Sequence, residues 1–177
     1  MTDIAQRRGD DIGVHVEGVE WPARIDGEPP VVLVVRAVGA ALAVAGPTCP
    51  VEAGVLLTGA DEIRAMNRQY RHKDAPTNVL AFAAADAGDT PDTEAVARDG
   101  ALPLGDIVIA GDVCRDEAVA QGKRLADHLA HLAVHGTLHL LGYDHEDDTE
   151  AEVMEALERD ILAGMGVADP YGSTVAA

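Results

Sequence analysis

The stretch from His135 to His145, HGTLHLLGYDH, holds three of the seven histidines in this 177-residue chain. Residues four positions apart lie on one face of an α-helix, so the imidazoles of His135 and His139 point toward a common spot. Gly142 permits the left-handed turn that ends a helix, and that turn can return His145 to the same spot. Three imidazoles with a fourth position left to water are typical of catalytic zinc. The spacing therefore predicts one Zn2+ ion bound by these three histidines.

The metzincin peptidases have the same histidine spacing, H-E-x-x-H-x-x-G-x-x-H, which makes peptide hydrolysis the natural alternative. Their general base is the glutamate after the first histidine, whereas this chain has Gly136 there, with no side chain to move a proton. Peptide hydrolysis is therefore disfavoured. Asp144 is an alternative general base, but it is predicted instead to orient a ligand histidine or to be an exposed turn residue. For His128, about two helical turns before His135, and for His131, contact with a ligand or substrate and simple packing or exposure both stay open.

Composition indicates one globular domain over residues 1–177, because a chain this long with 47% hydrophobic residues can bury its own core. Aromatic residues make up only 3%, so aliphatic side chains are expected to fill the interior. Cys49 and Cys114 are too few for a disulfide framework or a cysteine-based zinc site. The charged start, MTDIAQRRGDD, lacks the apolar run of a signal peptide, so a cytoplasmic location is expected. The apolar residues 31–45 are too few to span a membrane and predict a buried helix.

The net charge of -18 argues against a nucleic-acid partner, since such proteins usually have a basic surface. The basic residues are nevertheless unevenly placed, because Arg64, Arg68, Arg71 and Lys73 occur within ten positions that contain no acid. This basic patch is compatible with RNA binding, or with one solvated helix face and its trailing loop. Residues 144–160 contain nine acids and a single base, and they are predicted to form a solvated helix face.

Hydrophobic patterning predicts an α+β fold with a small mixed β-sheet, with the zinc site on a central helix and the turn that follows it. The predicted strands are residues 11–17, 51–58, 77–83 and 105–110. The predicted helices are residues 31–45, 60–70, 115–141 with a break near Gln121 and Gly122, and about 148–163. Residues 84–100 are rich in Ala, Asp, Thr and Gly without apolar periodicity, which predicts a mobile surface loop.

Sequence blocks outside the histidine segment point to a known family. They are MNRQYRHKDAPTNVLAF (66–82), LGDIVIA (104–110), EDDTEAEVMEALE (146–158) and DPY (169–171). Together with HGTLHLLGYDH they resemble the YbeY endoribonucleases, also called rRNA maturation factors. The resemblance implies an α+β hydrolase that holds zinc through His135, His139 and His145 and cleaves single-stranded RNA. It further implies a role in 3'-end maturation of small-subunit rRNA and in ribosome quality control, with the ribosome and its associated proteins as partners and neither membrane nor DNA.

The functional arginine of the family falls on Arg71 in the block YRHKD, and we expect it to be a catalytic residue. A guanidinium can hold a phosphate through two parallel hydrogen bonds and offset charge that develops at phosphorus. Lys73 and Arg68 are expected to bind the RNA backbone. Two residues depart from the family pattern, because Ala81 stands where many members have serine and His72 where glycine is common. Attack by water and attack by the RNA 2'-hydroxyl both stay open.

Two other functions stay open as well. The first is a zinc hydrolase of another substrate, either a small phosphoester or a peptide. The second is a non-enzymatic ribosome assembly factor in which zinc only stabilises the fold. Cleavage assays on RNA and on small esters, together with removal of zinc, separate these functions from an endoribonuclease.

Overall fold

The computed structural model describes residues 9–18, 21–87, 100–145 and 147–172. Within these ranges the chain forms four strands and five α-helices. In chain order they are β1 (Asp11–Val16), α1 (Pro30–Ala45), β2 (Val51–Thr58), α2 (Ala60–Arg71), β3 (Val79–Ala83), β4 (Leu102–Ala110), α3 (Gly111–Ala120), α4 (Leu125–Leu140) and α5 (Asp148–Gly164). The predicted α+β class is confirmed.

The four strands form one mixed sheet in the order β1-β2-β4-β3. β1, β2 and β4 run parallel, while β3 pairs antiparallel with β4 at one edge. Three strands differ from their predicted bounds, since β1 ends at Val16, β3 begins at Val79 and β4 already begins at Leu102. The pairing of β4 with β2 skips Leu104, a bulge that Gly105 accommodates with a φ of +121°. This irregular start hid the first part of β4 from the sequence pattern.

The helices fall close to their predicted ranges. α1 is the expected buried helix, and Pro30 occupies its first turn, where the missing N–H costs nothing. α3 begins at Gly111, earlier than predicted, and ends before the predicted break at Gln121 and Gly122. None of the helices in the described ranges is both long and apolar enough to cross a bilayer.

Two further predictions concern the loop at residues 84–100 and the thiols. The loop begins with a short 3-10 turn at Ala84–Ala87, and residues 88–99 lie outside the described residues. The expected mobility therefore stays a prediction. Cys49 and Cys114 are both free thiols, as their small number suggested.

α4 is the central helix of the fold, because it packs against β3, β4, α1, α3 and α5. Leu129 and Leu138 of this helix have no exposed surface. Side chains alternate between the two faces of a strand, and on the other face of the sheet Ile63 of α2 packs with Leu80 and Val108. Every buried hydrophobic side chain in the described residues is aliphatic, methionine or cysteine, so the predicted aliphatic interior is confirmed.

α4 approaches β4 closely because Gly136 has no side chain. A Cβ atom placed on Gly136 would lie 2.8 Å from Cγ2 of Ile107, a fully buried residue of β4. Real Cβ atoms essentially never come this near to another heavy atom. The turn of α4 that carries His135 therefore rests directly on the sheet, and a larger residue at position 136 would push the helix away from it.

We expect Gly136→Ala to destabilise the protein although alanine is the better helix former. Overpacking costs ~1–3 kcal/mol and helix propensity returns at most about 1 kcal/mol, so the free energy of unfolding in urea should fall by about 1 kcal/mol. Gly164→Ala in α5 is the matched control, because its added Cβ meets nothing within 4 Å. The cost should shrink in an Ile107→Ala background, and an unchanged cost there would contradict this account of the contact.

Candidate metal centre

α4 and the turn after it bring the three predicted ligands together. The helix ends in a Schellman turn, in which the Gly142 N–H donates to the His139 carbonyl and the Tyr143 N–H to the Leu138 carbonyl, both at 3.0 Å. Gly142 has a φ of +88°, as predicted for a left-handed cap. The chain then reverses and returns His145 to the helix.

The imidazoles of His135, His139 and His145 form a compact group, with one nitrogen of each ring within 4.8 Å of the others. Nε2 of His135 is 3.1 Å from Nε2 of His139. The ring centroid of His145 lies 5.0 Å from that of His139 and 5.7 Å from that of His135. Two nitrogens bound at about 2.0–2.1 Å to a tetrahedral Zn2+ lie about 3.3 Å apart. The group therefore fits one small tetrahedral ion, and its nitrogen donors suit Zn2+ better than Mg2+ or Ca2+.

A buried carboxylate supports this histidine group from behind. Glu158 of α5 has no exposed surface, and its Oε1 accepts from Nδ1 of His135 at 2.7 Å. Its Oε2 accepts from Nε2 of His131 at 3.0 Å and from the hydroxyl of Tyr171. Burial raises the pKa of Glu158, but the hydrogen bonds from these three side chains outweigh it and bring the pKa down to about 2. The charged carboxylate favours the His135 tautomer that leaves the Nε2 lone pair free for a metal.

His139 is in the protonation state that a metal ligand needs. Burial lowers the pKa of its imidazole most, the neighbouring His135 and His145 lower it too, and although Asp144 raises it the resulting pKa is about 4. The charge of Arg71 acts in the same direction. A neutral imidazole has the lone pair that binds a metal, so His139 does not have to lose a proton first at neutral pH.

Arg71, the last residue of α2, lies near enough to the histidine group for its charge to act on His139. Its Nη2 donates to the Ala81 carbonyl at 3.2 Å, and its charge contributes to the lowered pKa of His139. The contact uses the backbone of Ala81, so the absence of a serine hydroxyl there does not disturb it. His72, the other departure from the family pattern, has a φ of +57°, which glycine adopts without strain. Arg71 forms no ion pair with any described residue, so its guanidinium is available to an anion.

Similarity to known proteins agrees with this geometry. Residues 30–166 match the family described as Endoribonuclease YbeY. The chain belongs to the YbeY endoribonuclease family. Its relatives of that name include one from Azorhizobium caulinodans, 48% identical over 91% of this chain and 96% of that protein. Another, from Parvibaculum lavamentivorans, is 46% identical over 93% of this chain and 86% of that protein. The solution structure of a Thermotoga maritima protein is 21% identical, with a TM-score of 0.49 over 90% of this chain and 99% of that one.

The basic patch of this YbeY-family chain is only partly available to a ligand. Nε of Arg64 pairs with Oδ1 of Asp74 at 2.9 Å. Arg68 and Lys73 are exposed and form no ion pair with the described residues. Three of the four cations, Arg68, Arg71 and Lys73, therefore remain free to meet a polyanion, while Arg64 is already neutralised.

The remaining polar residues singled out in the sequence have structural partners. His128 is buried, and its Nε2 lies 2.8 Å from Oε2 of Glu117. His131 contacts Glu158, and its ring centroid lies 6.2 Å from that of the predicted ligand His135. Together with His135 and Glu158 it forms a second group of possible metal ligands. Asp144 is exposed, and its Oδ1 accepts the backbone N–H of His145 at 2.8 Å. Asp144 therefore stabilises the turn, which was one of its two predicted roles.

The prediction that residues 144–160 form a solvated face is wrong for Glu158. This residue shares the buried stripe of α5 with Met154, Ile161 and Leu162. Their spacing of three and four residues is the signal that could have shown Glu158 on the apolar face. A buried acid on such a face needs partners, and the three donors described above supply them.

We expect Glu158→Gln to weaken zinc binding by roughly 10–100-fold, because the loss of an outer carboxylate leaves the ligand imidazole poorly oriented and less basic. Competition with a chromogenic zinc chelator measures the affinity. Glu152→Gln, on the exposed side of the same helix, is the matched control and should bind zinc like the unmodified protein. Tyr171→Phe removes one donor to Glu158 and should have a smaller effect. Equal affinities for Glu158→Gln and Glu152→Gln would show that the carboxylate does not support the metal site.

Proposed function

We propose that this chain is a zinc-dependent endoribonuclease that cuts single-stranded RNA. In this proposal His135, His139 and His145 bind one Zn2+ ion, Arg71 is a catalytic residue, and Arg68 and Lys73 bind the substrate. The observation that carries it is a guanidinium that forms no ion pair with the described residues and whose charge acts on one of three clustered imidazoles. The relatives are named endoribonucleases, which supports RNA as the substrate.

The structure strengthens the argument that Gly136 makes against the peptidase alternative. The metzincin peptidases have their general base at this position. Here the position has no side chain, and an added Cβ would contact Ile107 of the core at 2.8 Å. A glutamate cannot be restored there without moving α4 away from β4. Cleavage by this chain therefore has to proceed without that base.

In this proposal the metal site and the basic residues act on different parts of an RNA phosphodiester. Bound zinc would polarise a phosphoryl oxygen and lower the pKa of a coordinated water. Arg71, already oriented by the Ala81 carbonyl, donates hydrogen bonds to the phosphate oxygens and stabilises negative charge that develops on them. Arg68 and Lys73 attract the flanking phosphates and hold the RNA strand near the proposed metal site. This division of roles accommodates water or a 2'-hydroxyl as the nucleophile.

We assign the activity to 3'-end maturation of small-subunit rRNA and to ribosome quality control in the cytoplasm. The sequence blocks shared with the family support this assignment, as does the charge of the chain. With a net charge of -18 and a small basic patch, the isolated protein should bind naked RNA weakly and in a salt-sensitive manner. The ribosome or a ribosome-associated protein then supplies the missing affinity. We propose neither a membrane nor DNA as a partner. We also propose that residues 1–177 form one domain.

Arg71→Ala should abolish cleavage of a labelled single-stranded RNA, with a loss of at least about a hundredfold in rate, while zinc content stays at one ion per chain. Arg71→Lys should recover only part of the activity, because an ammonium cannot make two parallel hydrogen bonds. Arg64→Ala is the matched control, since Arg64 lies on the same helix but is paired with Asp74. Undiminished cleavage by Arg71→Ala protein would show that the arginine is misassigned.

His139→Ala and removal of zinc separate the proposed function from its alternatives. Both should stop RNA cleavage, and added zinc should restore activity to the chelated protein only. In a YbeY-deficient bacterium, the unmodified chain should restore mature 3' ends of small-subunit rRNA, and folded His139→Ala protein should not. Rescue by His139→Ala protein would favour an assembly factor with structural zinc. Cleavage of a small chromogenic ester with RNA left intact would favour another hydrolase.

A further inference from the structure

A polar cavity of about 390 Å³ lies next to the histidine group and has no part in the function proposed so far. His135 forms one side of it, and Glu117, His128 and Tyr171 are among its other lining residues. The volume is near the lower end of the range for small-molecule sites, about 300–1,000 Å³, and suits a single planar group. The imidazole ring of His135 lines this cavity, and Nε2 of the same ring faces His139. A ligand here would therefore lie directly beside the metal-binding group.

Glu117 gives the cavity a preorganised hydrogen-bond acceptor. Its Oε2 accepts from Nδ2 of Asn78 at 2.9 Å and from Nε2 of His128 at 2.8 Å. The Asn78 amide is itself oriented, because its Oδ1 accepts the Val79 N–H at 2.7 Å. Burial lowers the pKa of His128, which favours a neutral ring that donates its Nε2 hydrogen to Glu117. Oε1 of Glu117 accepts no hydrogen bond from the described residues, and the side chain is 33% exposed.

The carboxylate of Glu117 disfavours a phosphate in this cavity and favours a group that donates hydrogen bonds. The one lysine of the lining, Lys123, already donates Nζ to the Pro170 carbonyl at 2.7 Å. This bond ties the chain around Pro170 to the loop before α4. Tyr171 follows it, with 41% of its surface exposed, and its ring offers contact area to a planar ligand. An unoccupied carboxylate oxygen beside aromatic rings is a common way of reading the edge of an RNA base.

We propose that this cavity binds a nucleobase with an exocyclic amino group, from the nucleotide next to the cleaved bond, and that Glu117 determines this preference. The proposal rests on the RNA substrate proposed above. The amino group of cytosine, adenine or guanine donates to Oε1 of Glu117. Uracil has only its N3–H on that edge, flanked by two carbonyl oxygens that the carboxylate repels. The structure thus assigns base selectivity to a residue outside the metal group and the basic patch.

Binding of free nucleosides tests the cavity without any cleavage. Cytidine and uridine have nearly the same size and differ on one edge of the base, where cytidine has an amino group and an N3 acceptor and uridine has a carbonyl oxygen and an N3–H donor. In an NMR titration of the full chain, cytidine should bind at least about tenfold more tightly than uridine, the effect of one charge-assisted hydrogen bond. The shifted resonances should include those of His128 and Gln121. Equal affinity for the two nucleosides, or no detectable binding of either, would overturn the proposal.

Glu117→Gln is the decisive variant, because the amide keeps an acceptor for Asn78 and His128 but replaces the free carboxylate oxygen with a donor. The cytidine preference should fall to about onefold or reverse in favour of uridine, whose O4 accepts from the amide. Asp116→Asn, exposed on the same helix, is the matched control and should keep the preference. An unchanged preference in Glu117→Gln protein would refute the role of Glu117.

Cleavage mapping then separates this proposal from the proposed function. In single-stranded RNA with cytosine or uracil at each position, cuts should occur about tenfold more often beside cytosine, and Glu117→Gln should remove that bias. RNA left intact by zinc-loaded protein would refute the ribonuclease function, while the nucleoside titration would still decide whether the cavity binds a base. Cleavage without base bias, together with equal nucleoside affinities, would refute the cavity assignment alone.

Discussion

The candidate site depends on the hydrogen bonds that the buried carboxylate of Glu158 accepts. A charged group without exposed surface is tolerated only if hydrogen bonds replace its lost hydration. Three side chains provide them, His131 and His135 from α4 and Tyr171 from the segment after α5. The same bonds join α5 and the C-terminal segment to the central helix. Tertiary packing and ligand orientation therefore rest on one group, and a change that weakens it should affect both.

A second constraint acts from the opposite side of α4. Gly136 lets the helix settle onto Ile107, and this contact sets how deeply the first histidine of the group sits. Gly136 thus occupies the position of the peptidase general base, and the packing of α4 on β4 requires a glycine there. Glutamate at this position would have to displace a fully buried strand residue. Packing and chemistry consequently point to the same conclusion, that the site works without a base on this turn of the helix.

Most of the fold could be predicted from local sequence patterns, while the outer part of the site could not. The predicted bounds of α1, α2, β2 and α5 lie within one residue of those observed, because apolar runs mark α1 and β2 and charges suited to the helix dipole mark α2. The start of β4 was missed where a bulge interrupts that pattern. The histidine group was found because its members are close in sequence and follow helical spacing. Glu158 and Tyr171 approach the histidine group only through tertiary packing. Glu158 lies in a run of acidic residues, and its inward orientation was therefore not recognised from the sequence.

The uneven distribution of charge explains how so acidic a chain can be suited to an anionic substrate. Screening reduces interactions between exposed charges beyond about 8–10 Å at moderate salt, so the net charge governs encounter more than local contact. Near the histidine group, Arg71 has no acidic partner among the described residues, while Arg64 is neutralised by Asp74. The carboxylate of Glu117 stands in a separate cavity, where a base rather than a phosphate would meet it. In the proposed complex, acidic and basic groups thus face different parts of a nucleotide, and the overall sign of the protein does not decide whether RNA can bind.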